Sequence, residues 1–113
     1  MQDFKQLTEQ LIHALELLES IYRNEEEVKR DRTFFLHVKR ETTDYFNWLE
    51  NWKTAALDLA FERKITVHPG QIDATVDNMK ALIMHSYYKD VRKRRYMDIK
   101  NSCSLVFLQS IEE

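Results

Sequence analysis

Pro69 and Gly70 stand side by side, and they are the only proline and the only glycine in 113 residues. Glycine supplies the positive-φ corners of hairpins, so a fold built on tight β-turns is excluded. Phosphate-cradling loops and dinucleotide fingerprints need several glycines within a few residues, and they are excluded too. With 43% hydrophobic and 32% charged residues the chain has the composition of a globular protein, and its length suits one domain over residues 1–113. What remains is a helical fold.

Residues 3–26 carry the clearest period. Phe4, Leu7, Leu11, Ala14, Leu18 and Ile21 recur at alternating steps of three and four, and Leu15 and Tyr22 widen the stripe. Asp3 with Gln6 three residues on forms a capping pair. Segment 28–40 (VKRDRTFFLHVKR) breaks the period, because Phe34, Phe35 and Leu36 are adjacent with Val38 just beyond. It reads as a connection folded back onto the bundle. A second helix is expected to start between Val38 and Asp44, with Tyr45, Leu49, Trp52, Ala56 and Leu59 inward.

Residues 63–70 are the marked break, with Pro69 suited to a first helical turn. A third helix is expected over 70–89, with Ile72, Val76, Met79, Ile83 and Tyr87 inward. A fourth runs from Lys93 to Ile111, with Tyr96, Ile99, Cys103 and Val106 inward. The crowded like charges of KDVRKRR argue for a turn between these two. The expected fold is all-α, a single-domain antiparallel four-helix bundle.

Seventeen Lys and Arg against 19 Asp and Glu give a net charge of −2, which points to neither a nucleic-acid nor a membrane partner for the whole molecule. Cys103 is the only cysteine, so no internal disulfide forms, as suits a reducing compartment. The start of the chain lacks the pattern of a signal peptide, and no apolar run approaches the ~20 residues that span a bilayer. The expected location is the cytoplasm.

Residue chemistry selects no catalytic set. His13 and His85 fall on outer faces of different helices, and the Glu-x-x-His spacing of bundle metal sites is missing. Arg32 with His37, and Arg63 with His68, match the Arg-x4-His spacing of bundle-type ribonucleases of the HEPN class, but two hits in one short chain show how cheap that pattern is. Cys103 reads as core. No catalytic, cofactor or metal residue is assigned, and a metal- or Arg/His-dependent hydrolase stays as the enzymatic alternative.

Two surface features remain. Lys89, Arg92, Lys93, Arg94 and Arg95, flanked by Tyr87, Tyr88 and Tyr96, are a candidate anion or partner contact, with nucleic acid as an alternative partner. Cations closing the third helix complement its dipole, and pairing with Glu25–Glu27 would make the run a solvated helix end. The overall neutrality favours that plainer reading. Leu17, Phe61, Met84, Leu105 and Leu108 fall off their stripes. Leu105 and Leu108 leave the last half-helix apolar nearly all round, a candidate interface unless the 34–36 segment covers them.

The stretch HPGQIDATVDNMKALIMHSYYKDVRKRRYMDIKNS resembles the YppE-like proteins, uncharacterised proteins of Firmicute bacteria. The similarity rests on His68, Gln71-Ile72, Asp77-Asn78, Ser86-Tyr87 and the basic stretch before Asp98-Ile99, and extends through Phe34-Phe35. A proline that the resemblance places near Arg40 is missing here. The resemblance implies a compact four-helix bundle and brings no activity, cofactor or catalytic residue. It also suggests that His68, Gln71, Asn78, Asp98 and Arg94 or Arg95 form a polar network at one bundle end. The expectation is a non-enzymatic, partner-binding cytoplasmic protein, monomeric or weakly dimeric, with a protein partner.

Overall fold

Asp3 and Gln6 close a reciprocal cap on the first helix. The Asp3 Oδ1 accepts from the Gln6 N–H at 2.8 Å, and the Gln6 Oε1 accepts from the Asp3 N–H at 3.2 Å. The computed structural model describes residues 3–26 and 29–112. Its elements are α1 (Phe4–Arg23), α2 (Arg32–Phe61), α3 (Pro69–Tyr88) and α4 (Lys93–Ile111). They pack up and down as an antiparallel bundle measuring 46 × 30 × 20 Å.

Helix α2 corrects the sequence reading. It starts at Arg32, and residues 32–40 are its first turns, with no connection there. Asp31 caps it, its Oδ1 accepting from the Phe34 N–H at 2.8 Å. Nothing breaks the helix at Arg40, because the proline that would remove a backbone donor is absent. The inward stripe is continuous through Phe34, Val38, Thr42, Tyr45, Leu49, Trp52 and Ala56. Thr42 hides that continuity in sequence. It is buried, and its hydroxyl is satisfied on the Val38 carbonyl at 2.8 Å. Phe35 and Leu36 stay about half exposed rather than folding onto the core.

The core is built from all four helices. Trp52 is fully buried, donates from Nε1 to the Thr8 Oγ1 at 3.0 Å, and meets Phe107 edge-on at 4.9 Å. It therefore ties α2 to both α1 and α4. On α4 the inward residue is Phe107, fully buried, while Val106 is only half-buried at the side. Tyr96 lies flat on Tyr22 at 3.9 Å and bonds Ser86 at 2.6 Å. Ser86 spends its own proton on the Leu82 carbonyl, so the Tyr96 hydroxyl is the donor.

His68 caps α3 through Nδ1, which accepts from the Gly70 N–H at 2.9 Å, and Gln71 returns a bond to the His68 N–H. That cap stands at the opposite pole from Arg94 and Arg95, and among the described residues no hydrogen bond joins Asn78 or Asp98 to it. The suggested single polar network is therefore not formed. Two chain reversals use positive φ, at Arg63 (57°) and Lys89 (54°), and Gly70 has no such φ.

Candidate functional site

The up-and-down order brings the α1–α2 and α3–α4 connections to one pole. Tyr88, at the end of α3, meets Phe34 edge-on at 5.3 Å and Phe35 at 5.9 Å. Its carbonyl accepts from the Arg30 guanidinium at 3.4 Å. The Tyr22 hydroxyl donates to the Val91 carbonyl at 2.6 Å, and Lys89 donates to the carbonyl of Asn24, the C-cap of α1. Residues 29–40 and 88–95, from the two stretches least settled in sequence, thus meet at one pole.

Charge is concentrated there. Lys29, Arg30, Arg32, Lys39 and Arg40 join Lys89, Arg92, Lys93, Arg94 and Arg95, ten of the 17 cations of the chain, and only Asp31 and Asp90 oppose them within residues 29–40 and 88–95. Glu25, Glu26 and Glu41 lie at the same end and still leave an excess of five positive charges. The rest of the sequence is correspondingly acidic. The second cationic stretch was legible as five basic residues within 29–40. Its place on the first turns of α2 was not.

The plainer reading of the basic run fits one residue of five. Lys89 is the C-cap of α3, where a cation opposes the negative end of the dipole. Arg92, Lys93, Arg94 and Arg95 are instead the N-cap and first turn of α4, where the dipole is itself positive. No acidic residue stands in that turn, and Arg92 makes no side-chain cap bond. All four are exposed, and among the described residues none pairs with a carboxylate, Glu25 and Glu26 included. Glu27 lies outside the described residues. Four like charges set against a helix dipole disfavour the fold locally.

Between the basic stretches opens a cleft of about 350 Å³. Ile21 of α1, Phe34 of α2 and Tyr87 of α3 give it apolar walls, and His37, Glu41 and Lys89 stand around it. Tyr87 is buried, and that burial, with Tyr45 and Glu41 nearby, holds its phenol well above the ordinary range. His37 and Glu41 are half-exposed, their Nε2 and Oε1 atoms 3.9 Å apart. Sequence reasoning placed Tyr87 in the core stripe and beside the basic run and Ile21 in the first helix's stripe, and did not single out Glu41; with α2 begun at Arg32, the four-residue step from His37 to Glu41 was the available signal.

The remaining suspects are dispersed. Arg32 and His37 lie at the cationic pole and Arg63 and His68 at the other, so the two Arg/His pairs do not combine. His13 is exposed, and the His85 Nδ1 meets the Asp90 Oδ1 at 2.7 Å, holding that carboxyl below its usual range. Cys103 is buried, and burial pushes its thiol up to about 12. Leu105 is 70% and Leu108 41% exposed. They sit toward the far end of α4, away from Phe34, Phe35 and Leu36, so that segment does not cover them.

A small all-α bundle with one cationic, partly aromatic pole is the class of protein that this fold and surface define. The chain belongs to the DUF1798 family, a bacterial domain of unknown function, which it matches over residues 8–113. It is 29% identical over 102 residues to the uncharacterized protein YppE of Bacillus subtilis (strain 168), covering 89% of this chain and 83% of that one. The solution NMR structure of B. subtilis yppE superposes with a TM-score of 0.77 at 25% identity, over 97% of this chain and 90% of the other. Its X-ray structure gives 0.75 at 26% identity, over 92% and 85%. Among the described residues no helix is long and apolar enough to cross a membrane.

Proposed function

We propose that this chain is a non-enzymatic cytoplasmic bundle that binds an acidic protein segment at its cationic pole. The observation that carries the reading is the exposed set Arg92, Lys93, Arg94 and Arg95 at the N-cap and first turn of α4, unpaired with any carboxylate among the described residues, where the dipole gives these cations no stabilisation. Positive charge against a helix dipole, with no ion pair among the described residues, is a feature that an anionic partner would offset. Leu36, Phe35, Lys39 and Arg40 interleave apolar and basic side chains on the exposed face of α2. Such a face suits a segment that alternates carboxylates with apolar side chains. A long polyanion is less suited, because the acidic remainder of the molecule repels its flanks. The monomer, or a weak homodimer through Leu105 and Leu108, is the expected state.

Fluorescence anisotropy with three labelled probes tests this. The probes are a twelve-residue peptide alternating Glu with Leu, an all-Glu peptide of the same charge, and an oligothymidylate of the same charge. The Glu/Leu peptide is expected to bind about tenfold tighter than either, with log K falling against log salt. Replacing Arg92, Lys93, Arg94 and Arg95 with Glu should abolish that binding with helicity unchanged. Tighter binding of the oligonucleotide would transfer the site to nucleic acid. A flat salt response for all three would sink both readings.

A further inference from the structure

The cleft between α1, α2 and α3 has the composition of a pocket for one side chain. Its walls are rings and aliphatic groups, Phe34, Tyr87 and Ile21, and the groups around it are polar. At about 350 Å³ it is near the low end of ligand pockets, with room for a single bicyclic ring but not for a helix. The polar groups narrow the choice further. Lys89 spends one of its three N–H donors on the Asn24 carbonyl, and the carboxylates of Glu26 and Glu41 both line the cleft, so its interior disfavours an acidic occupant. Among the described residues the Glu41 carboxylate accepts no hydrogen bond, and its distance of 3.9 Å from the His37 Nε2 leaves its lone pairs open to an incoming donor. An occupant matching this cleft brings an aromatic face for Phe34 and Tyr87 and one N–H or O–H for Glu41.

Resting on the acidic-segment reading above, we infer that this cleft is the anchor pocket of the same surface and takes one Trp or Tyr side chain of the partner segment. The ring replaces water against Ile21, Phe34 and Tyr87, and its polar hydrogen donates to the Glu41 carboxylate. The carboxylates flanking that anchor meet the cations of the surrounding pole. The division of labour is an aromatic anchor inside and charge complementarity outside. A segment with acid alone reaches the pole but lacks the anchor.

Two isomeric probes separate the ring from its donor. Titration of the isotope-labelled protein with 3-methylindole is expected to shift the amide resonances of Ile21, Phe34, His37, Glu41 and Tyr87 together, saturating in the millimolar range. 1-Methylindole has the same atoms and no N–H, and is expected to bind roughly fivefold more weakly, a moderate factor because Glu41 is half-exposed. Glu41→Ala should erase that difference while leaving the ring shifts. Shifts that map elsewhere, no shifts, or equal binding of the two isomers would overturn the pocket assignment. The Glu/Leu peptide, which has no aromatic residue, keeps the two readings apart. If it binds the pole while the indoles do not enter the cleft, the anchor fails and the cationic surface stands. Exchanging one Leu of that peptide for Trp should tighten its binding about tenfold in the wild type, and no gain would also overturn the anchor.

Discussion

The indole N–H of Trp52 donates to the hydroxyl oxygen of Thr8 at 3.0 Å, in the fully buried centre of the bundle. Thr8 passes its own proton to the Phe4 carbonyl at 2.8 Å, so the chain of donors closes without water. Removing the acceptor orphans a buried donor, which costs more than the bond contributes. Thr8→Val is expected to lower stability by about 1–3 kcal/mol, and Thr8→Ser, which keeps the acceptor, by less. Urea denaturation with an unchanged m-value would measure both, and equal losses would show that packing rather than the hydrogen bond matters at Thr8.

Arg63 closes α2 where glycine is the usual residue. Its φ is 57°, its N–H donates to the Ala60 carbonyl, and the Lys64 N–H reaches back to Leu59 at 2.9 Å. A β-carbon in that left-handed position costs roughly 1 kcal/mol. Arg63→Gly is expected to raise stability by about that amount, read as an increase in Tm by calorimetry. A decrease would mean that Arg63 contributes through its side chain.

Lys100 is largely buried on α4 and bonds Glu16 at 2.9 Å and Glu19 at 2.5 Å. The bonds from Lys100 and then Arg23 hold the Glu19 carboxyl below its ordinary 4.5. A depressed carboxylate contributes stability that is present above the ordinary value and lost as pH falls through the folded one. The wild type should therefore lose stability on acidification from about pH 5 downward, and Glu19→Gln should lose less over the same range. Parallel acid limbs for the two proteins would remove Glu19 from the account.

Cys103 is fully buried, with its thiol pushed up to about 12 and directed at the Thr75 carbonyl at 3.9 Å. The thiolate is the reactive form, so a disulfide reagent at pH 8 should label Cys103 only as fast as the bundle opens. In strong denaturant the reaction should complete within the mixing time. Rapid labelling of the native protein would contradict the burial.

Leu105 and Leu108 are two side chains, far short of the roughly 800 Å² per partner of a standard interface. Light scattering should return a monomer at micromolar concentration, with any dimer weak and removed by Leu108→Glu. A stable dimer that persists in Leu108→Glu would place the interface elsewhere.

Helices α1, α3 and α4 were legible to within a few residues because their apolar period is unbroken and their caps are local. Asp3 with Gln6 is an interaction between residues three apart, which sequence displays directly, while the His68–Gln71 cap of the same spacing emerged only from the structure. The start of α2 was not legible, for two local reasons. Thr42 occupies a core position as a polar residue by bonding its own helix, and Phe35 and Leu36 are apolar residues that face out. Hydropathy records what a side chain prefers, not whether a backbone carbonyl or a neighbouring ring satisfies it.

The scarcity of glycine and proline, through the helical periods that fill their absence, determined the class of fold from sequence alone. It did not determine how the chain reverses, since Arg63 and Lys89 adopt the left-handed turns and Gly70 does not. Only the folded structure set residues 32–40 as turns of α2 beside 89–95, some fifty positions on, and left Arg92–Arg95 exposed at the start of α4 with no acidic residue in its first turn. The reason is that charge acts through space and helix dipoles through direction, and a linear sequence specifies neither until the helices are packed.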